Sequence, residues 1–128
     1  MHLPNIMKIL VVDDNKDITN LLEMVFTGKG YECAKSNNGK EGLEMILDQK
    51  YDVILLDMAM PEYTGIEVVN KLKEAGKLNE QKIIIFTASS ATESELNTIL
   101  GNEGVYKCVR KPIKTKQLLE IVEELAQQ

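Results

Sequence analysis

The stretch Tyr51-Asp52-Val53-Ile54-Leu55-Leu56-Asp57, followed by Met58-Ala59-Met60-Pro61, decides the fold. Val53 to Leu56 are consecutively apolar and leave no polar face. Such a run fits a strand covered on both sides, as in a parallel sheet clad with helices. It ends in a carboxylate, Asp57, which therefore stands at the carboxyl end of a buried strand. Open α/β sheets place their ligand sites there. Pro61 cannot donate to a ladder and helps to stop the strand. Taken alone, Asp57 reads better as the first residue of a turn, and the rest of the chain changes that.

Working outward, similar runs recur. Lys8 to Val12 leads into Asp13-Asp14-Asn15, and Tyr31 to Ser36 leads into the turn Asn37-Asn38-Gly39. Lys82 to Thr87 ends in a hydroxyl, and Val105 to Arg110, more polar as an edge strand is, ends at Lys111-Pro112. Helical spacing fills the intervals. A first helix presents Ile18, Leu21, Leu22 and Val25 and ends at Gly28 and Gly30. A second, about 40–49, presents Leu43, Ile46 and Leu47. Thr64-Gly65-Ile66-Glu67 matches a capping box and opens a third, with Ile66, Val69 and Leu72 inward, closed at Ala75-Gly76. Lys77 to Glu80 reads as a polar connection. Thr92 caps a fourth helix running to about Leu100, and Thr115 caps a fifth with Leu118, Leu119, Val122 and Leu125 on one side. Strand–helix repeated five times specifies an α/β fold, a parallel sheet with helices on both faces and right-handed crossovers.

Composition narrows the function. The chain of 128 residues is one domain's worth, with residues 1–6 as a tail and 7–126 as the folded unit. A net charge of −5 disfavours direct nucleic-acid binding. No apolar run approaches the ~20 residues of a membrane span, and Met1-His2-Leu3-Pro4-Asn5 lacks the features of a signal peptide, so a cytoplasmic protein is expected. The single histidine, His2, lies in the tail, which argues against a histidine base or a His-ligated metal. Cys33 and Cys108 have no metal or redox spacing.

A parallel sheet brings all its carboxyl ends to one edge. Asp13, Asp14, Asp57, Thr87 and Lys111 should therefore share one cleft. Clustered carboxylates stay ionised only beside a cation or a lysine. Oxygen-only ligands select a hard ion such as Mg²⁺. A carboxylate beside such an ion, a hydroxyl and an ammonium is suited to accept a phosphoryl group.

The set Val-Val-Asp13-Asp14, Leu-Leu-Asp57-Met-Ala-Met-Pro61, Ile-Ile-Phe-Thr87-Ala88 and Lys111-Pro112 resembles the receiver domain of two-component response regulators. The likeness covers about residues 7–126. It implies a flavodoxin-like five-stranded parallel sheet in the order 2-1-3-4-5. It implies that Asp57 accepts a phosphoryl group from a phosphohistidine on a sensor histidine kinase or phosphotransfer protein. By the same likeness, Mg²⁺ (or Mn²⁺) would be held by Asp14 directly, Asp13 through water, Asp57, and the Ala59 carbonyl. Met58, Ala59 and Ala88 would line the phosphoryl pocket, and Lys111 would pair with a phosphoryl oxygen. Thr87 would move toward that group and alter the surface of helix 4, strand 5 and helix 5, which controls a partner protein or an output domain outside this chain. The Lys-Pro bond would be cis. A monomer or a phosphorylation-dependent dimer fits the pattern.

The chain departs from that pattern where the family often carries an aromatic switch residue, here Cys108. Tyr106, two residues earlier, would face the same way in a regular strand and so substitute, or else it is simply a packed edge residue. Ala59 and Ser89, at sites that affect phosphoryl lifetime, are both small. Lys107 and Arg110 belong to a basic end of the chain that is either a solvated face or a dock for an acidic partner. Cys33 and Cys108 fall on opposite edge strands, roughly 19 Å apart at ~4.8 Å per strand, too far for a disulfide. The alternatives are a receiver-like docking module that is never phosphorylated, an Asp-nucleophile phosphatase, and a flavin carrier. The phosphatase lacks its Asp-x-Asp, since Asn15 follows Asp14. A flavin phosphate would be repelled by Asp13 and Asp14.

Overall fold

A computed structural model describes residues 6–128 apart from 89, 102 and 103. His2 and Ser89 lie outside the described residues. The strands are β1 (Lys8–Val12), β2 (Glu32–Ser36), β3 (Val53–Asp57), β4 (Ile83–Thr87) and β5 (Val105–Arg110). The helices are α1 (Lys16–Gly28), α2 (Gly39–Asp48), α3 (Gly65–Glu74), α4 (Glu93–Leu100) and α5 (Thr115–Ala126). All strand pairs are parallel, in the order β2-β1-β3-β4-β5, which is the flavodoxin-like arrangement expected.

Residues alternate across each strand, so each strand feeds two cores. Leu10, Val12, Ile54, Leu56, Ile83 and Ile85 face α2, α3 and α4. Ile9, Val11, Val53, Leu55, Ile84 and Phe86 face α1 and α5. The central strands β3 and β4 are buried at every residue. That is why their sequences show no polar alternation.

The inward stripes of three helices differ from the periodicity reading. In α1 the buried positions are Thr19, Leu22 and Phe26, while Leu21 is exposed and Val25 only half-buried. In α2, Gly42 and Ile46 are buried and Leu47 is exposed. In α3, Val68 is fully buried and Ile66 is exposed. Each real stripe repeats at three or four residues, as does the expected one. Apolar residues on both sides of the stripe left its phase undetermined. Gly42 is buried because Val12 packs directly on it, where an added Cβ would sit 2.8 Å from a Val12 methyl.

The helix ends show how the chain is punctuated. Asn15, Asn38, Thr64 and Thr92 each cap a helix by accepting a backbone N–H two or three residues on. Thr115 does not cap α5. The helix begins one residue earlier than the capping reading requires, so Lys114 occupies the cap position without a side-chain bond. Gly28 stays helical, and Gly30 alone takes the left-handed conformation past α1, at φ 87. Residues 77–80 are more than a polar link: Leu78–Glu80 form a 3₁₀ turn, and Leu78 is buried.

Candidate functional site

Four strand ends meet at the carboxyl edge of the sheet. Asp13 follows β1 and is buried; Asp57 closes β3 and is 4% exposed; Asp14 faces solvent. One carboxylate oxygen from each lies within 4.8 Å of the others. The Lys111 ammonium reaches in from the end of β5, donating to Asp13 Oδ2 at 2.9 Å and standing 3.4 Å from Asp57 Oδ1. The Lys111–Pro112 peptide is cis. Asp57 Oδ1 also accepts the Ala59 N–H at 3.3 Å, which leaves Oδ2 without a partner among the described residues.

Backbone contacts fix this cluster from several sides. Asp13 Oδ1 accepts the Asn15 N–H at 2.9 Å. The Asp13 N–H donates to the Ser36 carbonyl, and the Asn37 side chain donates both to the Asp13 carbonyl and to Thr19 Oγ1. Asn37 was legible only as a turn residue; its role as a tie between β1 and the β2–α2 connection was not. Beyond Asp57, the Met58 N–H donates to the Phe86 carbonyl at 2.9 Å. The chain then turns sharply, with Tyr63 N–H on the Pro61 carbonyl and Glu62 in the left-handed region at φ 68. Gly65 N–H donates back to the Met58 carbonyl at 3.0 Å and closes the loop.

Burial pushes the Asp57 carboxyl up to about 6; Asp13 adds to the rise, while Lys111 and the Ala59 N–H oppose it. Burial alone would lower the Lys111 ammonium, but Asp13 and Asp57 outweigh it and hold it above the usual lysine value. The site is thus short of positive charge: one ammonium serves two buried carboxylates, with a third at the rim. Hard oxygen donors in a net anionic, partly dry cluster fit a divalent cation. On the far side of Lys111, Ile18, Leu22, Phe86, Pro112, Ile113 and Leu118 border an apolar cavity of about 250 Å³ between α1 and α5.

The raised Asp57 carboxyl has a consequence for stability. Its folded value lies above its unfolded one, so the ionised form opposes folding. That cost is absent below the unfolded value near 3.8 and grows as pH rises through about 6. In chelator at pH 8, Asp57→Asn should therefore be the more stable protein by about 3 kcal/mol. The difference should close between pH 6 and pH 4 in denaturant titrations. A wild type as stable as the variant at pH 8 would contradict the raised value.

The other residues singled out lie outside the carboxylate–ammonium cluster. Thr87 is buried, but its Oγ1 donates to the Val109 carbonyl at 3.5 Å and not toward Asp57. Ala88 stands exposed next to it. Cys108 is half-buried among the residues packed on the α2–α4 core, and burial raises its thiol. The same-face reading of Tyr106 fails, because strand 5 is not regular there. A register shift pairs Ile83 with Val105 but Ile84 with Lys107, so Tyr106 sits at a bulge. Its hydroxyl accepts from Gln128 Nε2 at 2.7 Å, beyond the end of α5. Cys33 and Cys108 are both free, on the two edge strands.

A model of the response regulator receiver domain matches residues 9–123. The chain belongs to the response regulator receiver domain family. Among curated relatives of this receiver domain, the transcriptional regulatory protein DltR of Streptococcus agalactiae is 35% identical over 113 residues, 88% of this chain and 49% of DltR. The chain thus spans about half the length of the curated relatives it matches. The Francisella response regulator 1452 receiver domain is 30% identical with a TM-score of 0.82, covering 94% of this chain and 97% of that one. The response regulator TrrA of Thermotoga maritima, solved with Mg²⁺ and beryllofluoride, is 33% identical with a TM-score of 0.78, covering 94% and 99%. No helix among the described residues is long and apolar enough to cross a membrane.

Proposed function

We infer that this receiver domain is the phospho-acceptor switch of a two-component system, with Asp57 as the acceptor. The observation that carries the reading is the Lys111 ammonium bridging buried Asp13 and Asp57, with Asp57 Oδ2 left without a partner among the described residues. That oxygen attacks the phosphorus of a phosphohistidine on a sensor kinase or phosphotransfer protein. The O–P bond forms as the P–N bond breaks, and the electron pair returns to the imidazole. Lys111 is placed to pair with an oxygen of the incoming group, and the Met58, Ala59 and Ala88 backbone borders it. A hard divalent cation, Mg²⁺ or Mn²⁺, held by Asp13, Asp14, Asp57 and the Ala59 carbonyl, would offset charge on the phosphoryl group.

A phosphoryl group adds about −1.5 to −2 charge and three acceptor oxygens. Thr87 gains a partner only when they are present, and its turn would carry the change to α4, β5 and α5. Residues 7–126 act as one unit in the cytoplasm, answering to a histidine kinase and controlling a target protein or an output domain. The domain is a switch and not an independent enzyme, apart from its own phosphorylation from a donor and slow self-dephosphorylation.

Intact-mass spectrometry after incubation with acetyl phosphate and Mg²⁺ tests this. The wild type should gain one phosphoryl adduct, absent in Asp57→Asn and on chelation. An adduct that survives in Asp57→Asn would place the acceptor elsewhere. No wild-type adduct from acetyl phosphate or from any histidine kinase would favour a docking module.

A further inference from the structure

Consecutive residues at the end of β5 hold two different parts of the molecule. Lys111 reaches the acid cluster, and its backbone N–H donates to the Thr87 carbonyl at 2.8 Å. Arg110 turns the other way. Its Nη1 donates to the Ala91 carbonyl, and its Nη2 lies 3.4 Å from Glu93 Oε1 in the first turn of α4. Thr87 and Ala91 bound the connection from β4 to α4, so each end of that connection is tied to one of two neighbouring β5 residues. Arg110 is therefore engaged within the chain, and the idea that it docks an acidic partner loses its motive.

The Ala91 and Glu93 contacts of Arg110 differ in weight. The Glu93 side chain is 85% exposed, so that ion pair is screened and weak. The bond to the Ala91 carbonyl is charge-assisted and is the stronger hold. It exists in an arrangement where Thr87 Oγ1 bonds Val109, toward β5. To reach an oxygen on Asp57, the Thr87 side chain must leave Val109, while Ala91 is held by Arg110.

We propose that Arg110 is a positioning residue of the switch: its guanidinium ties the start of α4 to β5 in the arrangement where Thr87 faces Val109, and so sets how readily Thr87 turns toward a phosphoryl group. The proposal rests on the reading of Asp57 as acceptor. A contact made in one state of a two-state element shifts the balance by the free energy of that contact. For one charge-assisted bond partly open to water, that is roughly threefold to fivefold.

Beryllium fluoride with Mg²⁺, titrated into the protein and followed by amide NMR shifts, tests it. Arg110→Lys keeps the charge near the anion site but lacks the two-pronged fork. It should bind beryllofluoride about threefold to fivefold more tightly than wild type, with Mg²⁺ affinity unchanged. Without ligand, the amide shifts of Glu95 and Leu96 should lie part-way toward their bound positions. Arg110→Ala should move them further along the same line, a readout independent of the anion's charge. A merely structural role would weaken both Mg²⁺ and beryllofluoride binding and would not move α4 along that line. Equal or weaker beryllofluoride binding in Arg110→Lys, or α4 shifts fixed at wild-type positions, overturns the proposal. A wild type that does not bind beryllofluoride overturns the acceptor reading together with it.

Discussion

Lys111→Ala should slow formation of the acetyl-phosphate adduct by about a hundredfold to a thousandfold, the size expected when a preorganised charge is removed from a partly dry site. Two effects act together. The ammonium that would meet the phosphoryl oxygens is lost. It is also the cation placed on both buried carboxylates, at 2.9 Å from Asp13 and 3.4 Å from Asp57. Without it, burial and Asp13 act on Asp57 with less opposition, and the carboxyl rises above its value of about 6. Without a bound cation, less of the Asp57 carboxyl is then ionised at neutral pH. The same rise has a stability sign: a carboxyl raised further above its unfolded value costs more as pH increases, so the variant should lose stability from pH 6 to pH 9 in chelator. Lys111→Arg, which keeps the charge, should recover part of the rate. A full-rate Lys111→Ala would show that the ammonium is a spectator.

How far the sequence could be read follows from which signals are local. The buried runs of β1, β3 and β4 and the polar residue ending each one are local, so strand order of appearance, fold class and the convergence of Asp13, Asp14, Asp57 and Lys111 were all legible. The phase of a helix stripe is not local. Leu21 and Phe26 are both apolar, and it is how α1 seats on the sheet that buries Phe26 and leaves Leu21 exposed. The bulge at Tyr106 was likewise invisible, because it reflects how β5 registers on β4 and not any property of Tyr106 itself. Asn37 and Arg110 fall in the same class. Their partners, the Asp13 and Ala91 carbonyls, lie 24 and 19 residues away, and backbone carbonyls leave no mark in a sequence.

Gly65 extends this to a position where the sequence showed a cap and the structure shows a fit. It is the first residue of α3, preceded by the Thr64 cap. A Cβ added there would lie 2.4 Å from the Asp57 carbonyl oxygen and 2.9 Å from the Met58 Cα. Both are backbone atoms, so no side chain can rotate aside. The start of α3 and the end of β3 would have to separate, and β3 is buried at every residue. Gly65→Ala should therefore destabilise the fold by about 3 kcal/mol, the upper range for overpacking. It should also displace Asp57 and Ala59, and a shift on the order of 1 Å at a reacting centre costs about a hundredfold in adduct rate. Gly76→Ala is the matched control. Gly76 has φ 70 but open space around its added Cβ, so it should cost about 1 kcal/mol from backbone conformation and leave the adduct rate unchanged. If both variants lose the same stability and neither loses rate, α3 has slack against the acceptor strand and the close approach is not what positions Asp57. A rate loss confined to Gly65→Ala would mean that helix packing, as well as the carboxylates, sets where the phosphoryl group can land.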